Sequence, residues 1–369
     1  MVKSNEPIPG SAAPQPTGTQ DGKKNRPKSS RLYQQRLSAY QPILTASTVI
    51  PGFTIVSLAF IPIGIVLLVA SDSVQEATVD YTDCIQRQAR QKTCRDLIVS
   101  RPGLGTCVCQ LNVQLTQNFT GNVYFYYVLR NFYQNHRIYL KSRNDEQLLG
   151  KLNRVDGCEP YARDSETGKV YAPCGAMANS FFNDSFSLTH SSGLTVPLTW
   201  RGITWPLYKR QIFKNPGQLG DSYPDWKKLR LELSNTEKPP DWGRQLWELD
   251  KENPDNNGFV NADFMVWMRP EALTEFRKLY RLLNRSKTGA TAFANGLPAA
   301  NYTLSINYRF PVSTFKGRKG FVISTMSWTG GSNDFMGIAF IVVGSICLFM
   351  AIVFVAIHLT HGHRLVDIH

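Results

Sequence analysis

Polar positions all but vanish in two long runs of this chain, one near each end. Ile43 to Ala70 is apolar or small almost throughout, and no Asp, Glu, Lys or Arg falls between Arg36 and Asp72. Phe335 to Leu359 is a second run free of those four residue types. As α-helices the runs would reach roughly 42 Å and 37 Å, enough to cross a hydrocarbon core of about 30 Å with tilt. They predict membrane spans at 43–70 and 335–359. A cleavable leader is the alternative for the first, but its apolar core should be only about 7 to 15 residues, with a small residue where Leu68 stands. Pro51-Gly52 and Pro62 with Gly64 predict a bent span with a neighbouring helix that satisfies the freed carbonyls.

Between the spans the pattern changes to alternation. Cys107 to Leu115, Asn122 to Leu129, Leu194 to Trp205, Tyr302 to Val312 and Gly320 to Trp328 read as antiparallel strands separated by Gly, Pro and Asn. Pro270 to Leu283 reads instead as a helix. Pro270 suits its first turn, Glu271 and Glu275 its positive end, and Lys278 and Arg281 its negative end, with Leu273, Phe276, Leu279, Tyr280 and Leu283 as a buried stripe. The expected fold is a membrane protein: two transmembrane α-helices around a large antiparallel β-sandwich-like (α+β) ectodomain at 71–334, with tails at 1–36 and 360–369. Met1 to Ser30, rich in Pro, Gly, Ser and Gln, has too little apolar surface to fold.

The mean hydropathy of −0.24 averages these unlike parts. Most of the net charge of +13 comes from the region between the spans, with 33 basic and 25 acidic residues, and is spread rather than gathered in one patch, so no nucleic-acid partner is expected. Charge does orient the chain. Lys23, Lys24, Arg26, Lys28, Arg31 and Arg36 precede the first span, whereas Asp72, Glu76, Asp80 and Asp83 follow it, which puts the amino terminus in the cytosol. Lys316, Arg318 and Lys319 before the second span point the other way, but the first bias is larger and long domains translocate largely regardless of charge. The basic amino-terminal tail either contacts anionic lipid, at about 1 kcal/mol per residue, or is simply solvated.

Six of the seven cysteines, Cys84, Cys94, Cys107, Cys109, Cys158 and Cys174, lie between the spans, and Cys347 lies within the second. An even set in one compartment predicts three disulfides stapling the ectodomain. Zinc is the rival, but Cys107-Val-Cys109 lacks Cys-x2-Cys spacing and no His pair follows. Cys107 and Cys109 share a strand face, so each looks outward. Pairing among the first four is open from sequence; an antiparallel return nests Cys84 with Cys109 and Cys94 with Cys107, leaving Cys158 with Cys174. Asn118, Asn183, Asn284 and Asn301 head Asn-x-Ser/Thr acceptors, all between the spans, which suits a glycosylated lumenal or extracellular domain.

Catalytic motifs fail on inspection. Asn253 to Gly258 has a calcium-loop outline, but Phe264 stands where a bidentate Glu is needed. Ser286 to Thr291 echoes a phosphorylation loop without its aspartate. His358, His361 and His363 form a wet interfacial cluster more readily than a metal site. No catalytic residue, metal site or cofactor is expected.

Several longer words carry a resemblance: Gln34 to Thr45, Asn131-Phe-Tyr-Gln-Asn-His136, Cys158-Glu-Pro-Tyr161, Ala172 to Ser180 with Phe182-Asn-Asp184, Pro254 to Gly258 leading to Val266-Trp-Met-Arg269, and Phe276 to Arg281. In these the sequence resembles the ligand-effect-modulator, or cell-division-control, family of non-catalytic β subunits of type-four P-type ATPases, the phospholipid flippases. The resemblance spans about Gln34 to Ile357; Asn253 departs from the Asp usual there. It implies a heterodimer with a catalytic subunit that moves phospholipid from outer to inner leaflet, assembled before leaving the endoplasmic reticulum for Golgi, endosome or plasma membrane. Two other classes share parts of this outline. A trimeric channel subunit would show a gate or selectivity segment in its pore helix, and a lumenal enzyme would show a clustered acid/base set.

Overall fold

The computed structural model describes residues 30–33, 35, 37, 45–87, 92–100, 106–220, 222–286 and 291–361. Most of the tail expected at 1–36, most of the Gln34 to Thr45 motif, Lys287 to Ala290, and 362–369 with His363 lie outside the described residues.

Both apolar runs are helices, α1 (Ala46–Asp72) and α2 (Asp334–His361). Ile55, Leu58, Phe335 and Leu359 are all exposed on them, a surface that only lipid or another apolar helix can cover. The chain divides into two compact units. In the smaller, made of the described residues of Met1–Phe53 and Ala351–His369, Phe53 meets Phe354 with ring centroids 5.7 Å apart. In the larger, Thr54–Met350, the helices cross closely at glycines. A Cβ on Gly64 would stand 2.6 Å from Ile341 Cγ1, and one on Gly337 2.6 Å from Leu68 Cγ. Small residues allow such backbone approach where lipid supplies no hydrophobic drive for association. Beside the crossing, Phe60 packs on Phe340 at 5.0 Å.

Where the helices meet the domain, Ser71 is buried and its Oγ donates to Asp334 Oδ1 at 2.5 Å while accepting from the Asn333 N–H at 2.8 Å. The chain then runs into β1 (Glu76–Asp80), and it returns to α2 from β8 (Arg318–Ser324). Between them come β2 (Cys107–Gln114), β3 (Tyr124–Arg130), β4 (Ser185–His190), β5 (Leu198–Thr199), β6 (Phe276–Leu283) and β7 (Asn301–Tyr308). One antiparallel sheet has the order β1-β8-β3-β6-β5 and a second β2-β7-β4.

Alternation builds the core. Tyr302, Leu304, Ile306 and Tyr308 of β7 are buried while Asn301 and Asn307 face out. On the neighbouring strand of that sheet, Phe186 of β4 lies 4.7 Å from Phe321 of β8 and 5.1 Å, edge-on, from Tyr280 of β6, both in the other sheet. The two sheets thus share one aromatic core, the β-sandwich-like arrangement.

One expected helix is a strand. Pro270 to Leu283 folds as a loop followed by β6, and Leu273 of the supposed buried stripe is 71% exposed. The burial in β6 has period two: Phe276, Lys278 and Tyr280 point inward. Lys278 disguised this pattern, because a lysine is ordinarily counted as surface. Here its ammonium donates to the carbonyls of Val266, at 3.1 Å, and Arg269. Burial pulls it down to about 8. The run from Leu194 to Trp205 yields only β5, since Pro197 cannot donate to a ladder and Gly202 turns the chain at φ +88°. β1 is too short, and β4 too rich in Ser and Thr, for the sequence pattern to reveal them.

Candidate functional site

The densest chemistry lies in the sandwich interior. Asp184 and Lys319 form an ion pair at 2.6 Å with both side chains fully buried. Asp184 Oδ1 accepts the backbone N–H groups of Arg309 and Phe310 at 2.6 and 2.7 Å, and Oδ2 also accepts the Tyr81 hydroxyl at 2.9 Å. Lys319 Nζ donates as well to Phe310 O at 2.7 Å and sits 3.1 Å from the Tyr308 ring centroid. One carboxylate therefore joins the end of β7, the start of β4, β8 and the residue after β1. A buried ion pair is tolerable only when its remaining hydrogen-bonding capacity is met, as here. Burial draws Lys319 down to about 8. Burial, reinforced by the Asp184 charge, pushes the hydroxyls of Tyr81 and Tyr308 well up. This pair escapes sequence reasoning because its members are 135 positions apart. The only signal was the place of Asp184 in the Phe182-Asn-Asp184 motif.

Beside that pair the other motifs interlock. Trp267 and Trp242 donate their indole N–H groups to Met177 O and Ala178 O, each at 2.8 Å. Asn135 Nδ2 donates to Ala272 O at 2.8 Å, the Glu271 N–H to Gln134 Oε1 at 3.2 Å, and Tyr139 shares a 2.8 Å bond with Ser180. Asp263 and Arg281 form a two-pronged pair, and despite burial the Asp263 charge holds the guanidinium above its ordinary range. The segments at 131–139, 172–184, 263–272 and 276–281 are thus one bonded body, built to hold shape. The Asn253 to Gly258 turn is a knot of amides: Asp250 accepts from Asn253 and Asn256, and Asn257 Oδ1 from the Asp250 N–H.

Disulfides join Cys84 to Cys109, Cys94 to Cys107 and Cys158 to Cys174. The Sγ atoms of Cys84, Cys94 and Cys109 lie within 4.8 Å of one another. The last bridge closes a separation of 16 residues over a small cluster of its own, and such a loop is worth about 3 kcal/mol. Peptide mapping without reduction is expected to recover Cys158 bonded to Cys174 and Cys347, free in α2, alkylatable; a bond from Cys347 to another cysteine would contradict this. Of the four sequon residues, Asn118 and Asn301 are exposed, and Asn183 and Asn284 half-buried. They are scattered and form no common site. Of the basic residues before α2, Arg318 pairs at the surface with Asp80 at 3.0 Å, and Lys319 pairs in the interior with Asp184.

Two apolar helices flanking a disulfide-held, sheet-rich domain define an integral membrane protein with two candidate spans. The family described as LEM3 (ligand-effect modulator 3) family / CDC50 family matches residues 67–364, and the chain belongs to it. It is 42% identical to "Cell cycle control protein 50A" of Mus musculus, over 98% of this chain and 96% of that protein. It is 40% identical to "Cell cycle control protein 50B" of Homo sapiens, over 91% and 95%, and 36% identical to "ALA-interacting subunit 3" of Arabidopsis thaliana, over 93% and 89%.

Proposed function

We propose that this protein is the accessory, non-catalytic subunit of a heterodimer whose other member is the catalytic subunit of a type-four P-type ATPase. It serves assembly, exit from the endoplasmic reticulum and activity of that subunit in moving phospholipid from outer to inner leaflet. The family match over 67–364 carries this reading, and the printed name of the Arabidopsis relative, an interacting subunit, agrees with it. The interior supports it too: its charged groups are consumed in holding shape, as suits a clamp. The amino terminus is cytosolic and 71–334 lumenal or extracellular, glycosylated at Asn118, Asn183, Asn284 and Asn301. Arg318 and Lys319 point the other way, but the basic bias before the first span is larger and long domains translocate largely regardless of charge.

The test is co-expression. A flippase catalytic subunit made with this protein is expected to leave the endoplasmic reticulum and form phosphoenzyme, and the same subunit alone to be retained. Export and phosphoenzyme equal in both cells would refute the proposal, as would lipid flipping by this protein alone in liposomes. Protease on sealed microsomes should trim only a few kilodaltons, and protection of Met1 to Tyr40 would reverse the orientation.

A further inference from the structure

Behind Asp184 a cleft opens between the turn at 241–244 and the start of β4. It holds two adjoining cavities of about 380 Å³ each, within the range of ligand pockets, about 300–1,000 Å³. Phe181 and Leu249 give it apolar walls, Trp242 lines the outer part, and Arg244 and Arg309 supply donors. Asn183 lines both parts. Its Oδ1 is buried and has no hydrogen-bond partner among the described residues. Such an orphan calls for a missing donor. Arg309 spends its Nε on Thr106 Oγ1 at 2.8 Å, but Arg244 has no hydrogen bond or ion pair among the described residues. Asn183 also heads the acceptor Asn183-Asp184-Ser185.

We infer that this cleft seats the first sugars of a glycan carried on Asn183, making that glycan part of the domain wall. The inference rests on the lumenal, glycosylated reading above. Attachment joins the Asn183 amide nitrogen to the sugar C1, with loss of one amide hydrogen as a proton and departure of the lipid-linked pyrophosphate of the glycan donor; the cell's transferase performs it. What the cleft adds is recognition. A sugar has an apolar C–H face, which suits Phe181 and Trp242, and a rim of hydroxyls, which suits Arg244 and Arg309. A hydroxyl or acetamido N–H beside the linkage supplies the donor that Asn183 Oδ1 lacks. Asn118 and Asn301 lie exposed and line neither cavity, so glycans there stand in solvent.

The experiment uses the full-length chain from a eukaryotic host in mild detergent and an amidase that cleaves the sugar–asparagine bond, with release followed site by site by mass spectrometry. Asn183 is expected to be occupied and to release its glycan about tenfold more slowly than Asn301, and equally fast after unfolding and reduction. Arg244→Ala and Trp242→Phe should each bring Asn183 toward the Asn301 rate; Arg244 makes no hydrogen bond among the described residues, and its variant is expected to melt with the parent. An occupied Asn183 released as fast as Asn301, or protection unchanged in both variants, overturns the seating and leaves the glycosylated reading standing. An unoccupied Asn183 beside occupied Asn301 overturns the inference at its root. Both sites bare would sink the glycosylated reading as well.

Discussion

Lys319→Met is expected to lower the melting temperature of the full-length protein in detergent by roughly 10 °C, the shift that a loss of about 3–5 kcal/mol gives in a domain of this size. Methionine matches the lysine stem in length, so packing changes little. What changes is that Asp184, fully buried, loses the one cationic partner it has among the described residues. Its remaining donors, the two backbone N–H groups and the Tyr81 hydroxyl, cannot neutralise it. Asp184→Asn should cost as much, by stranding the ammonium. Combining Lys319→Met with Asp184→Leu should cost less than the sum of the single changes, by about 0.5–3 kcal/mol, because neither charge is then left alone. Differential scanning fluorimetry on the parent, on Lys319→Met, Asp184→Leu and Asp184→Asn, and on the double change decides it. A Lys319→Met protein melting within about 2 °C of the parent, under the same scale, would show that the pair holds nothing together.

Gly175→Ala is expected to be nearly as damaging, and Gly193→Ala is its control. Both glycines have positive φ, +96° and +86°, so each substitution carries the strain of a backbone that L side chains rarely adopt, about 1–3 kcal/mol. They differ in surroundings. A Cβ at Gly175 would lie 2.1 Å from Ser142 O, a backbone atom, whereas at Gly193 nothing stands within 4 Å. Relief at Gly175 requires the 142 and 175 strands of chain to part, which costs about 1–3 kcal/mol more. It also breaks the 2.8 Å bond from the Ala176 N–H to Ser142 Oγ and disturbs Cys174 next door. Thermal unfolding and partner recovery after co-expression should therefore fall sharply for Gly175→Ala and slightly for Gly193→Ala. Equal losses in the two would mean that backbone strain alone, without the close approach, sets the cost.

The spans were legible because an uncharged run of that length has few other uses, β2 and β7 because their alternation is clean, and β3 and β8 because aromatic and β-branched residues cluster in them. β6 was misread for a reason that sits in one residue. With Lys278 counted as solvated, Phe276, Leu279, Tyr280 and Leu283 fit a helical stripe; with Lys278 inward, the same letters alternate. Nothing local reveals which holds, since the carbonyls of Val266 and Arg269 that receive its ammonium belong to another segment. The Asp184–Lys319 pair was hidden in the same way. Lys319 read as a charge flanking a membrane helix until the fold supplied a carboxylate. Buried charges are set by tertiary structure, and a one-dimensional pattern sees only their polarity.

The bond between Ser71 and Asp334 has a bearing on how such a protein could be built or rebuilt. The domain enters and leaves through two residues a hydrogen bond apart, and its first and last strands, β1 and β8, are paired neighbours along the same edge. Everything from Ser71 to Asp334 is therefore a cassette: an insertion into the turn of a helical hairpin whose ends already meet. Domains with adjacent termini are the ones that tolerate being spliced elsewhere. This one could be lifted from its own pair of helices and set on another closely crossing pair without stretching either, so the sheet domain and the helix pair can be exchanged, and can have diverged, as separate modules.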